Sequence, residues 1–117
     1  MAPAAPGCLT RRAEFLRVAA KGRKVPMPGM VMQALARGDD SPLRLGFTVT
    51  KKIGGAVVRN RTRRRLKEAA RLLLRTAPAR GADIVLVGRA TTRQRPFAQL
   101  MDDLQRALRK AGVVHGD

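Results

Sequence analysis

The sequence predicts an α+β fold: a mixed sheet with helices packed on it, in the chain order αβββαβα. Three observations carry this prediction. Residues 43–50 alternate apolar and polar side chains without a break, the period of a strand with one buried face. Thr62, Leu66, Ala69, Leu73 and Ala77 recur at spacings of four, three, four and four, which is one stripe along a helix. Residues 83–88, DIVLVG, form a short β-branched apolar run suited to an interior strand. A strand, a helix and a strand in that succession need a crossover, so part of the sheet is parallel.

The remaining elements follow from local chemistry. The Ala/Pro-rich residues 1–8 read as a flexible tail. Thr10 is placed to cap a helix over residues 11–21, with Glu14 near its positive end and Gly22 stopping it. Phe15, Leu16, Val18 and Ala19 supply its apolar side. Residues 23–25 make a short edge strand before the Pro26 and Pro28 interruption, and residues 30–36 a longer strand with Met30, Met32 and Ala34 on one side. GDDSP within residues 37–42 has turn chemistry. In the next strand Leu43, Leu45, Phe47 and Val49 face the core, leaving Arg44, Gly46, Thr48 and Thr50 as a polar face.

Gly54 and Gly55 end that strand, and a helix starts near residues 56–59 and stops before Pro78. Pro96 suits the first turn of a last helix whose core positions are Phe97, Leu100, Met101, Leu104, Leu108 and Ala111. The expected organisation is one domain over residues 9–111, with a short tail at 112–117.

Charge narrows the function. The chain of 117 residues carries 25 Lys and Arg against 8 Asp and Glu, a formal charge of +17. Such an excess repels itself in the free protein and is relieved by a polyanion, for which RNA or DNA is the commonest source in a cell. A single cysteine, Cys8, excludes an internal disulfide, and no Cys and His spacing suggests zinc. The start lacks the pattern of a secretory signal, and no apolar run approaches the roughly 20 residues needed to span a bilayer. A cytoplasmic protein without a membrane partner is expected.

The charge is concentrated. Lys51, Lys52, Arg59, Arg61, Arg63, Arg64, Arg65, Lys67, Arg71 and Arg75 fall within one segment, opposed only by Glu68. A solvated helix face is the plain explanation of such a run. Three features argue for a partner instead. The arginines of RNRTRRR begin where a helix begins, where the macrodipole disfavours cations by a few tenths of a kcal/mol each. Asn60, a donor and an acceptor, sits between two of them, and Gly54 and Gly55 allow close backbone approach. Arginine outnumbers lysine, and its planar fork suits phosphate contact and base stacking.

KKIGGAVVRNRTRRRLKEA resembles the signature of the bacterial ribonuclease P protein subunit, a glycine-containing KK turn followed by an RNR helix. The likeness extends back through LTRRAEFLRVAAKGRKV and RLGFTVT and forward through DIVLVGRA to the last helix. It implies a ribosomal-protein-like fold with a left-handed crossover, where the general rule would give a right-handed one. It further implies that Lys51, Lys52, Arg59, Asn60, Arg61, Arg63, Arg64 and Lys67 face a catalytic RNA subunit. Magnesium is then held mainly by that RNA, with Asn60 as a weak candidate for orienting a hydrated ion. The groove between the first helix and the sheet is expected to take the 5′ leader of precursor tRNA, through Arg11, Arg12, Phe15, Gln33, Arg44, Thr48 and Thr50.

The chain departs from the family at Ala19 and Gln33, positions where aromatics are common, and it has no Tyr or Trp at all. Each missing stacking platform removes about 1–3 kcal/mol of single-strand affinity. Read without the resemblance, the polar face of residues 44–50 is an ordinary solvated sheet face, and Phe15 an ordinary core residue. No catalytic constellation is evident: Asp39 and Asp40 lie in a turn, Asp102 and Asp103 on a surface helix face, and His115 and Cys8 in the tails. The expectation is therefore an accessory subunit in an RNA-catalysed removal of the tRNA leader, with no obligate protein partner. A general structured-RNA binding protein of the same fold is the alternative, and a protein-only nuclease the third choice.

Overall fold

The alternating segment around residue 46 is the hinge of the architecture, because both of its faces and both of its edges have neighbours. The computed structural model describes residues 6–76 and 79–113. In chain order they form β1 (Gly7–Cys8), α1 (Arg12–Lys21), β2 (Arg23–Pro26), β3 (Met30–Ala36), β4 (Arg44–Thr48) and a 3-10 turn (Lys51–Ile53). α2 (Ala56–Thr76), β5 (Ala82–Gly88) and α3 (Phe97–Lys110) follow. The five strands make one sheet in the order β1-β4-β5-β3-β2.

β5 is central and pairs parallel to β4, with Leu45 opposite Ile84, and antiparallel to β3, with Met32 opposite Leu86. Its near-continuous burial explains why its sequence lacks polar alternation. The β4-α2-β5 crossover is the predicted parallel unit. α2 and α3 lie on one face, where Leu66, Ala69, Ala70, Leu73, Leu100, Leu104 and Leu108 pack against Met30, Met32, Ile84 and Leu86. Burying each large side chain there contributes about 1.5–3 kcal/mol. Thr62 belongs to the same inward stripe: its hydroxyl donates to the Val58 carbonyl at 2.8 Å, so it is buried without an unpaired oxygen. α1 covers part of the opposite face, where Leu9, Val18 and Val85 gather the half-buried Phe15, Leu35 and Val87.

Four local expectations are corrected. Gly7 and Cys8 are a strand rather than tail: they pair parallel with Arg44 and Leu45, and the Gly7 N–H donates to the Leu43 carbonyl at 2.7 Å. Two residues are too few to show a period. Residues 1–5 of the expected tail, Ala77 of the α2 stripe, and His115 with the rest of 114–117 lie outside the described residues.

α1 is capped by Glu14 instead of Thr10. The Glu14 Oε1 accepts the backbone N–H of Thr10 at 3.1 Å and of Arg11 at 3.0 Å, satisfying donors that a helix start leaves open. β4 is shorter than residues 43–50, although Leu43 and Val49 are still buried. Asp103 faces inward, 3% exposed, and accepts two hydrogen bonds from Arg95. No helix among the described residues is long and apolar enough to cross a membrane.

Candidate nucleic-acid interface

The start of α2 is shaped by its turn. Gly54 has φ +151°, and a Cβ there would stand 3.0 Å from Val58 Cβ and Cγ1, so both conformation and space call for glycine. The 3-10 turn before it leaves Lys51 and Lys52 exposed, and α2 then turns Leu66, Ala69, Ala70 and Leu73 inward. Geometry leaves the arginines no other side. Asn60, Arg61, Arg64 and Lys67 are exposed, and Arg59 and Arg63 are half-buried. The structure therefore gathers all eight predicted RNA-subunit residues along the turn and first half of α2.

Little within the protein neutralises them. Glu68 is committed to Arg71, and Arg65 donates to the carbonyls of Thr92 and Arg93 at 2.8 and 2.7 Å. Lys67 Nζ lies 5.9 Å from the centre of the Phe47 ring. Lys51, Lys52, Arg59, Arg61, Arg63, Arg64 and Lys67 have no carboxylate partner among the described residues. Arg59 Nε is buried there with no hydrogen-bond partner at all, an orphaned donor beside the exposed cations.

A depression of about 200 Å³ lies between Asn60, Arg63, Arg64 and Lys67. The Asn60 Oδ1 accepts from Arg63 Nη1 at 3.0 Å and its neighbours are cations, so these side chains do not by themselves fit a divalent ion. No cluster of three or more His, Cys, Asp or Glu able to hold a metal occurs among the described residues.

The second surface is the α1 side of the sheet. Strand register lines up Gly46, Val85, Gln33 and Lys24 in one row and Thr48, Val87, Val31 and Pro26 in the next. A Cβ on Gly46 would stand 2.5 Å from Phe15 Cε1 and 2.7 Å from Cζ, so the missing side chain is what lets the ring lie on the strand. Phe15 is half-buried, a member of the α1 cluster whose ring lies against β4 at Gly46. Gln33 and Thr48 are half-buried, Thr50 is exposed, and Arg11 and Arg12 are exposed at the start of α1. Because Thr48 and Thr50 run directly into Lys51, the two surfaces meet at the end of β4.

Arg44, on the same side of β4, is engaged with acids of the protein itself. Its Nε and Nη2 donate to the two oxygens of Asp83 at 2.9 and 2.8 Å, and its Nη1 donates to Glu14 Oε2 at 2.6 Å. Arg37 Nη1 donates to Asp83 Oδ1 at 2.6 Å, and Arg37 also holds Asp39. The bonds from Arg44, reinforced by Arg37, keep the Asp83 carboxyl below its ordinary pKa despite burial, which acts the other way. Glu14 is lowered chiefly by the backbone N–H groups of Arg11 and Thr10, with Arg44 adding to them. The guanidinium is thus a brace between α1, β4 and β5. Asp83, an acid opening an apolar strand, was the sequence signal for this network, since a buried carboxylate needs a cationic partner.

Fold and surface together define a small basic α+β protein with an unneutralised cationic helix beside a partly open sheet face. The Ribonuclease P family model matches residues 6–112. The chain belongs to the ribonuclease P protein family, whose members are protein components of a tRNA-processing endoribonuclease. It is 65% identical over 105 residues to the ribonuclease P protein component of Gluconacetobacter diazotrophicus, covering 90% of each chain. With that of Paramagnetospirillum magneticum the identity is 46%, covering 91% of this chain and 83% of the relative. Among solved structures, the Staphylococcus aureus RNase P protein superposes with TM-score 0.76 at 26% identity, covering 93% of this chain and 98% of that one. The Thermotoga maritima protein does so with TM-score 0.73 at 27% identity, covering 87% and 94%.

Proposed function

We propose that this chain docks on a catalytic ribonuclease P RNA through Lys51, Lys52, Arg59, Asn60, Arg61, Arg63, Arg64 and Lys67. In the same complex it holds the 5′ leader of precursor tRNA in the groove between α1 and the sheet. The observation that carries this reading is the row of α2 cations without carboxylate partners among the described residues, which a polyanion would neutralise.

Hydrolysis of the phosphodiester is assigned to the RNA, with magnesium held by RNA phosphates. The protein contributes affinity and position. Arg61 and Arg64 supply planar forks for phosphates, Lys51 and Lys52 point charges at the turn. In the groove, Phe15 offers a ring for one leader base, Gln33, Thr48 and Thr50 offer polar contacts, and Arg11 and Arg12 sit where phosphates would pass. Arg44 acts there by bracing α1 rather than by direct contact.

Reconstitution tests the proposal. The isolated protein is expected to leave precursor tRNA intact in magnesium, and addition of a bacterial ribonuclease P RNA to give cleavage at low salt that yields a mature 5′ end. Cleavage by protein alone, or no stimulation of the RNA, would refute it. Arg64→Ala is expected to weaken RNA binding and to lower the slope of log K against log salt by about 0.7–0.9. An unchanged slope would mean a merely solvated arginine.

A further inference from the structure

Besides the depression around Asn60, α2 borders a larger concavity on its other flank. Arg61, Arg64, Arg65 and Glu68 of α2, Arg93 of the β5-α3 connection and Phe97 at the start of α3 line it, with a volume of about 590 Å³. That lies within the roughly 300–1,000 Å³ usual for sites that take one small organic group. Two kinds of group meet there.

Arg65 and Phe97 are the fixed wall. Arg65 is pinned by the Thr92 and Arg93 carbonyls, and its guanidinium carbon stands 5.8 Å from the centre of the Phe97 ring. The connection that supplies those carbonyls is itself anchored. The Thr92 hydroxyl, fully buried, donates to the Gly29 carbonyl at 2.6 Å and accepts the Arg89 N–H at 2.8 Å. Arg61, Arg64 and Arg93 are the other kind: exposed, and without an acceptor among the described residues. Glu68 does not offset them, being held by Arg71.

Three uncompensated guanidiniums around a half-buried aromatic ring combine an anion-seeking chemistry with a π surface. Resting on the reading of α2 as an RNA-facing helix, we propose that this cleft takes one unpaired nucleotide of the RNA. Its base packs on the Phe97 and Arg65 wall, and its phosphates engage Arg61, Arg64 and Arg93. A regular duplex would satisfy the arginines but has no free base face, and an acidic peptide would leave the ring uncovered.

Because the chain contains no Trp or Tyr, the Phe97→Trp variant carries one indole as its only such fluorophore. It is titrated with a bacterial ribonuclease P RNA and, separately, with inorganic polyphosphate, which has charge but no bases; complex formation is followed independently by filter retention. The expected result is loss of indole emission with RNA and little change with polyphosphate at equal retention. Retention of RNA with unchanged emission, or equal quenching by polyphosphate, overturns the proposal while leaving the docking of α2 intact. Failure of the wild-type protein to retain RNA at low salt overturns the docking, and this cleft with it. Arg93→Ala, on an exposed connection, keeps the measurement decisive should the indole disturb packing: its salt slope should fall by about 0.7–0.9, and an unchanged slope and affinity also overturn the proposal.

Discussion

Replacing Asp83 by Asn tests whether the brace between α1, β4 and β5 is a structural element. Asp83 is 4% exposed and accepts from Arg44 Nε, Arg44 Nη2 and Arg37 Nη1 at 2.9, 2.8 and 2.6 Å. Asn keeps the shape, removes the charge and turns one acceptor into a donor facing a guanidinium. Removing one partner of a fully buried pair costs about 3–5 kcal/mol. Arg44 is 40% exposed and keeps Glu14, and Arg37 keeps Asp39, so solvent and the remaining acids recover part of that. A loss of about 2–3 kcal/mol is expected, which for a domain of this size lowers Tm by roughly 8–12 °C.

Thermal and urea unfolding followed by helical circular dichroism would measure it. Acid adds a second handle, because the folded-state pKa of Asp83 is depressed, chiefly by Arg44. Its contribution is therefore complete above the unfolded value of about 3.9 and disappears as pH falls through the lower folded value. The gap between wild type and Asp83→Asn should stay constant from pH 8 to about 5 and close below about 4. A difference under about 0.5 kcal/mol at pH 7, within the range of ordinary surface changes, would refute the reasoning, as would a gap that persists in acid.

Glu14→Gln separates position from charge by the sign of its effect. Removing an anion from a chain of net charge +17 should by electrostatics alone tighten RNA binding on every substrate. Loss of the ion pair with Arg44, and weaker acceptance of the Thr10 and Arg11 N–H groups by a neutral amide oxygen, should instead weaken binding of precursor tRNA while sparing leaderless tRNA. Equal tightening on both, by fluorescence anisotropy, would show that α1 needs no such anchor. Gly46→Ala should cost about 1–3 kcal/mol in urea unfolding and lower leader affinity, since its Cβ falls 2.5 Å from the Phe15 ring. Wild-type stability in that variant would mean the ring moves aside freely.

Most of the architecture was legible because it rests on short-range patterns. The alternation of residues 43–50, the α2 stripe and the apolar run of β5 each report a period or a composition that needs no partner to be seen. The same holds for the cationic face: once Leu66, Ala69 and Leu73 turn inward, Arg61 and Arg64 can only turn outward. Where the readings failed, the missing information was a contact that no period in the chain announces. β1 is a strand only because β4 lies beside it, and Asp103 is buried only because Arg95 reaches it.

Arg44 shows the division most clearly. Its residue type and its position on the face opposite the core were evident from the chain, and both suited a leader contact. Parallel pairing in a register that sets Arg44 opposite Asp83, together with α1 laying Glu14 over the strand, gives the guanidinium a bracing role that no pattern in the chain announces. The cleft beside Phe97 likewise exists only where α2 passes the β5-α3 connection. Sequence by itself determined the three helices and the longer strands, where the charge lies and which family the signature resembles. Tertiary structure decided which charges are left without carboxylates, because an ion pair depends on the register that brings distant residues within about 3 Å of each other.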